Sequence, residues 1–431
     1  MKYKKISNKL FIKNRSKLNK KIKDKSFIVL YSNNKMYRNG DQYFDFRQNS
    51  DFFYFSGIDQ EKSVLLLFPD HENEELREIL FIIETNEKIK IWEGNKYTKE
   101  EAKEISGIEN VKWIDEFDDL LKNLIRDAEN VYFNDFTDIG SECDMRNDNL
   151  CNIINSVNTD CNIEKLSPII KCLRVKKEPE EIKLMQKACD ITDKAFSRVL
   201  SIVKPGVHEY EVEAEIFSEF IRNRASGSAY KSIVASGENA CVLHYVENSS
   251  ICNKGELLLM DFGAEYANYA ADCSRTIPVS GKFSKRQREC YESVLRVMKE
   301  AIKLMVPGSS ILEIHKETCK LLQEEHIKLG LYTETDLKNQ DIEKPLWKKY
   351  YPHGTSHFIG LDVHDVGDKT TVLEEGMVLS CEPGLYIPEE NIGIRIEDDI
   401  VVAETPINLL QNVPKEVFEI ENLMNGKINK L

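Results

Sequence analysis

At 431 residues, 41% hydrophobic and 31% charged, the chain has the make-up of an ordinary globular protein of roughly two or three domains. A net charge of −14 argues against nucleic acid or an anionic membrane as partner. No apolar run approaches the ~18 residues of a membrane span, and no signal-like apolar region follows the N-terminus, so a cytoplasmic location is expected. Eleven cysteines, an odd number, are scattered from Cys143 to Cys381 without a CxxC pair. That pattern is neither a disulfide framework nor a zinc knuckle, and it points to reduced, mostly buried thiols.

The first 25 residues carry eleven Lys or Arg against one Asp. Phe11, Leu18 and Ile22 are spaced for one face of a helix, which predicts a solvated amphipathic helix. Residues 27–31, 64–68 and 79–83 are short apolar runs of the kind found in buried strands. Between the first two, the aromatic-rich stretch 47–57 reads as turn and strand. Strands and polar helical stretches alternate to about residue 170, so an N-terminal α/β domain is assigned to residues 1–173.

The second domain, residues 174–431, opens with a helix begun by Pro179 and acidic residues. Lys204-Pro205-Gly206 and Val306-Pro307-Gly308 each lie between two helical patterns, and this echo suggests an internal duplication. Three of the eight histidines of the chain, His353, His357 and His364, fall within twelve residues. Gly354, Gly360 and β-branched neighbours predict turn and strand there, with His353 and His357 on one face and His364 on the other.

Residues 255–263 read as a buried strand ending in Asp261. A tight turn centred between Tyr266 and Ala267 would put Asp272 directly opposite it, at ~5 Å between Cβ atoms. Glu382 and Glu397 are likewise symmetric about Glu389-Glu390, and period-two alternation sets Arg395 on the face of Glu397. Buried like charges so close require a proton or a cation between them. Four carboxylates and at least one imidazole form an oxygen-rich set able to hold two divalent metals. Ligand hardness favours Mn²⁺, with Co²⁺, Fe²⁺ or Zn²⁺ also able to enter.

Met260-Asp261-Phe262-Gly263, the stretch from Ala271 to Thr276, the histidine segment, Cys381-Glu382-Pro383-Gly384 and the stretch from Ile394 to Asp399 resemble, in order and spacing, the pita-bread metallopeptidases. Among these the chain is most similar to the Xaa-Pro aminopeptidases (aminopeptidase P). Residues 236–245 and 47–57 extend the resemblance over most of the chain. It implies an N-terminal creatinase-like α/β domain followed by a duplicated pita-bread catalytic domain around a curved antiparallel sheet, an α/β (α+β) fold. It also implies that Asp261 chelates one metal, that Asp272 and Glu397 bridge both, and that His357 and Glu382 complete the other. His244, His353 and His364 match non-ligand histidines of the substrate site, and Arg395 matches an arginine beside the bridging glutamate. A water between the metals would attack, Glu382 would take its proton, and a histidine would stabilise the oxyanion or protonate the leaving nitrogen. The substrates implied are peptides with proline second, and the assembly a homodimer or homotetramer.

Trp92 has two readings: a core aromatic, or, by resemblance, a substrate-binding residue near a neighbouring subunit's pocket. The same resemblance admits a prolidase acting on Xaa-Pro dipeptides, a methionine aminopeptidase, or a metal-free binding module of the kind found in histone-chaperone subunits and creatinase. All five ligand positions are intact, which disfavours the last. A dipeptidase needs a cation for the substrate carboxylate, commonly an arginine. The connection 368–375 offers one lysine among acids and no arginine, which favours longer peptides.

Overall fold

In the computed structural model, which describes residues 3–133, 145–341 and 343–426, the chain divides into two compact units, residues 4–174 and residues 175–431 with 1–3. Cys143 lies outside the described residues; the ten described cysteines are free thiols.

The N-terminal unit is built on the apolar runs. They become β1 (Ser26–Tyr31), β4 (Val64–Leu67) and β5 (Glu78–Ile82), flanked in the same sheet by β6 (Asn110–Trp113), β7 (Asn130–Phe133) and β8 (Asn162–Lys165). Strand order is β6-β5-β4-β1-β7-β8, with β1 antiparallel to β4 and parallel to β7. The two remaining strands, β2 (Tyr37–Asn39) and β3 (Gln42–Tyr43), form a separate exposed hairpin.

Two expectations fail here. The basic N-terminus does form a helix, Asn8–Asn19, but it stops short of Ile22 and is not simply solvated. Leu10, Phe11 and Leu18 are buried, and the guanidinium of the buried Arg15 donates to the carbonyls of Phe55 (2.8 Å) and Ser106 (3.0 Å). The stretch expected as turn and strand is the helix Ser50–Ser56. Asn49 caps it by accepting from the Phe52 N–H (2.9 Å), and Gly57 ends it at φ 67°, where a Cβ would meet the Phe11 ring. Caps at both ends outweigh the β-preference of the aromatics between them.

The C-terminal unit is duplicated. Helix Pro179–Ile202 leads through Gly206 to helix Glu209–Arg222, and helix Lys285–Lys303 leads through Gly308 to helix Ile311–Lys328. Both glycines have left-handed backbones, φ 95° and 94°, which is why glycine stands at each. The pairing repeats as well. Gly206 N–H donates to the Cys252 carbonyl and Cys252 N–H to that of Val207; Gly308 N–H donates to Leu373 and Leu373 N–H to Ser309.

After each helix pair comes an interrupted antiparallel hairpin. The first half holds β9 (Gly227–Ser228), β10 (Ile233–Ser236), β11 (Leu257–Asp261), β12 (Ala264–Tyr266), β13 (Tyr269–Ala270) and β14 (Ser274–Pro278). Strand β11 pairs with β10 and β14, and β12 with β9 and β13. The second half holds β15 (Val378–Cys381), β16 (Gly384–Ile387), β17 (Ile392–Arg395), β18 (Asp398–Val401) and β19 (Ile407–Asn408), with β16 on β17 and β15 on β18. Among the described residues no helix is long and apolar enough to cross a membrane.

Candidate metal centre

Each hairpin is broken where an acidic residue must leave the ladder. In the second, Gly384 pairs with Arg395 and Cys381 with Asp398, so the symmetry expected for Glu382 and Glu397 holds: both sit in the gap between the two paired stretches. The first hairpin corrects the expectation. Its turn is at Ala267-Asn268, both at positive φ, so Tyr266 pairs with Tyr269 and Asp261 faces Ser274, not Asp272. Asn tolerates the left-handed region, which moves the turn by one residue and the register by two. The carboxylates still converge because the strands close in at the gap. A Cβ on Gly263 would lie 1.7 Å from the Ala271 carbonyl oxygen, so only glycine fits.

Nine of the ten side chains expected from sequence line one cavity of about 100 Å³, joined by Leu243. Tyr230 ties the first acid pair together, its hydroxyl 2.6 Å from Asp261 Oδ1 and 2.5 Å from Asp272 Oδ1. The hydroxyl has one proton and can donate to only one of them at a time. The Asp272 N–H donates to the buried Asp399 carboxyl (3.0 Å). Ser274 Oγ, on β14 of the first hairpin, donates across to Glu397 Oε2 of the second (2.7 Å), and the Glu382 N–H donates to the Thr355 carbonyl (2.9 Å).

The histidine segment is not a regular strand but a chain of turns, bridged once where Phe358 meets Leu379. His357 Nδ1 lies 3.0 Å from the Phe358 carbonyl, which can only accept, so this nitrogen carries the proton. Nε2, 3.3 Å from Asp272 Oδ2 and 3.6 Å from Glu382 Oε1, is the nitrogen that faces the carboxylates, holding a proton between them or, without it, open to bind an ion. The turns also bring His364 back to the site instead of the opposite face: its ring centroid is 4.5 Å from that of His357.

His353 Nδ1 donates to the Gly354 carbonyl (2.8 Å), and its Nε2 is 2.8 Å from the Tyr386 hydroxyl. Arg395 donates to Asp261 Oδ2 (2.6 Å), Tyr386 Oη (3.0 Å) and Ser274 Oγ (2.7 Å), reaching Glu397 only through that serine. Tyr230 and Tyr386 were not singled out from sequence. Tyr386 had a signal, since period two puts it on the strand face of Glu382; Tyr230 had none.

The charges are mutually hostile. Burial, then Asp272 and Glu382, pushes the Glu397 carboxyl well up. Burial raises Glu382 to about 7 against the pull of His357 and Arg395. Burial lowers the His357 imidazole, but Asp272 and Glu382 outweigh it and carry it up to about 9. Burial and then Arg395 take His353 down to about 3. Burial and the His357 charge lower His364.

A cation resolves this strain, and the donors fit one. One donor atom each of Asp272, His357 and Glu397 lie within 4.8 Å of one another, and the His357 tautomer offers Nε2 as a ligand.

The sequence profile of metallopeptidase family M24 matches residues 183–404, and that of the aminopeptidase P N-terminal domain matches residues 11–132. The chain belongs to the M24 metallopeptidases. It is 36% identical to a Xaa-Pro aminopeptidase of Haemophilus influenzae over 98% of both chains. Aminopeptidase P from Escherichia coli, solved with the inhibitor Pro-Leu, superposes with a TM-score of 0.90 at 34% identity, covering 98% of this chain and 99% of that one. A zinc-substituted form of the same E. coli protein in complex with product gives 0.89 at 34%, covering 99% and 100%. As an M24 member of the aminopeptidase P type, the chain is a metal-dependent hydrolase that uses divalent ions.

Trp92 is not at this cavity. It stands in the N-terminal unit on helix Glu87–Glu93, 82% exposed, beside Ile91 at 78%. The core reading is therefore wrong: the helix keeps all seven residues unburied.

Proposed function

We propose that this cavity removes the N-terminal residue of peptides whose second residue is proline. The chain is a metal-dependent Xaa-Pro aminopeptidase, and the observation that carries the reading is the convergence of five ligand-type side chains and three further histidines on one small cavity. Asp261, Asp272, His357, Glu382 and Glu397 would hold two divalent ions, Mn²⁺ by the hardness of four carboxylates. When bound, these ions supply an activated water and polarise the scissile carbonyl.

The protein's own groups do the rest. Glu382 is the group that would accept the proton of the attacking water; with no ion bound, burial holds its carboxyl at about 7. His353 stays neutral with Nδ1–H committed to Gly354, so Nε2 accepts from the Tyr386 hydroxyl, whose oxygen in turn accepts from Arg395. His244 and His364 line the same cavity, and they are the candidates for donating to the carbonyl oxygen and to the departing proline nitrogen.

Extended peptides are favoured over dipeptides. Arg395 is the only guanidinium among the described residues that line the cavity, and it is buried and engaged with Asp261, Ser274 and Tyr386. A cytoplasmic homodimer or homotetramer is the setting we propose. The deciding experiment compares hydrolysis of Xaa-Pro dipeptides with that of longer Xaa-Pro peptides, with Mn²⁺ added. Cleavage of neither would overturn the reading.

A further inference from the structure

His244 reaches the cavity from a segment with little structure of its own, a single 3-10 turn over Gly237–Cys241. One buried acid outside the segment bonds it on both sides of His244. Glu209, the first residue of helix Glu209–Arg222, is fully buried. Its Oε1 accepts from Ser236 N–H (2.7 Å), Ser236 Oγ (2.8 Å) and Asn239 Nδ2 (3.1 Å). Its Oε2 accepts from the Tyr245 hydroxyl (2.7 Å) and Ser250 N–H (2.8 Å). The Glu209 N–H in turn donates to the Ser250 carbonyl (3.0 Å).

These donors bracket His244 on both sides, and one is its immediate neighbour Tyr245. Five bonds to one carboxylate leave the loop a single arrangement. Burial alone would raise the carboxyl, but the Ser236 and Ser250 amides and Tyr245 outweigh it and hold it below its ordinary range. The start of a 14-residue helix adds a favourable dipole. The duplication shows that the fold does not demand this charge: with Gly206 matched to Gly308, the counterpart of Glu209 is Ile311, which is buried and apolar.

We propose that Glu209 is a positioning residue for the peptidase reaction, holding the loop from Ser236 to Ser250 so that His244 is presented to substrate. The proposal rests on the reading of His244 as a substrate-side histidine. None of the five expected metal ligands lies on this loop, so metal binding is a separate readout.

The test is a double-mutant cycle on the metal-replete full chain, using alanyl-prolyl-alanine. Glu209→Gln keeps the shape but turns an acceptor into a donor facing N–H groups. Glu209→Gln and His244→Ala should each lower kcat/KM by about 10²-fold, the scale of a roughly 1 Å misplacement. Metal content should be unchanged, and the double variant should be no worse than His244→Ala alone. Multiplying losses, or a loss of metal, would make Glu209 a general structural residue and overturn the proposal. Should Glu209→Gln fail to fold, Tyr245→Phe removes one donor and keeps the charge; its smaller loss must also vanish in the His244→Ala background, and persistence there overturns the proposal. Wild-type kcat/KM in His244→Ala would remove the underlying reading of that histidine. A silent Glu209→Gln beside an impaired His244→Ala would refute the positioning role alone.

Discussion

The Nε2 of His353 and the hydroxyl of Tyr386 lie 2.8 Å apart, and Arg395 Nη1 stands 3.0 Å behind that hydroxyl. Neither of these bonds joins His353 to an expected metal ligand. His353→Ala and His364→Ala are therefore expected to keep metal content near that of the unmodified protein while turnover falls by roughly 10²–10⁴-fold. Elemental analysis beside steady-state kinetics checks this. Loss of one metal would make the substituted histidine a ligand.

Chelation should abolish hydrolysis, and added Mn²⁺ should restore it, because Asp261, Glu382 and Glu397 are all pushed toward the neutral form when no cation balances them. Binding of the ion to the folded state alone should also raise Tm. That gain should disappear in Glu397→Ala and Asp272→Ala. Full activity in a verified metal-free sample would contradict the assignment.

Trp92 is exposed, so Trp92→Ala should leave Tm within about 1 °C, as surface changes do within ±0.5 kcal/mol. If the indole serves substrate in an assembled form, KM for long peptides rises while the dipeptide is unaffected. An unchanged KM would end that role for Trp92.

For substrate length, kcat/KM for an Xaa-Pro tripeptide should exceed that for the matching dipeptide by at least about tenfold, or ~1.4 kcal/mol. The basis is the connection over residues 368–375. It holds no arginine and one cation, the exposed Lys369, and its backbone is tied down where the Leu312 N–H donates to the Lys369 carbonyl and Leu373 is laddered to Gly308 and Ser309. Equal or better cleavage of the dipeptide would mark a prolidase.

Far from the cavity, burial takes the fully buried His326 down to about 4, with Tyr332 Oη 3.2 Å from its Nδ1. The unfolded chain binds this proton near pH 6.5. Between about pH 6.5 and 4 the unfolded state holds a proton that the folded state does not, so stability falls as pH falls through that window. Urea midpoints at about pH 7 and pH 5 should differ less in His326→Phe than in the unmodified protein. An identical difference would show that His326 does not contribute to the acid loss.

Much of this protein was legible in one dimension. Three apolar runs, 27–31, 64–68 and 79–83, marked β1, β4 and β5 because a strand buried on both faces has no polar side to reveal. The Pro-Gly echoes marked the duplication because a left-handed turn admits few other residues. Glu382 and Glu397 were paired by counting outward from a turn, and the ladder kept that count across its gap.

Counting failed where the third dimension intervened. One residue's shift of the turn to Ala267-Asn268 set Asp261 against Ser274, yet Tyr230, from a distant segment, still drew Asp272 beside it. The fate of Trp92, the fold-back of His364 and the grip of Glu209 on the His244 loop were likewise invisible to local spacing. Sequence by itself determined the family, the fold and the inventory of candidate ligands, because residue type and period carry that information. Only the tertiary structure decided which atoms face each other, since hydrogen bonds between residues tens to more than a hundred positions apart leave no periodic trace.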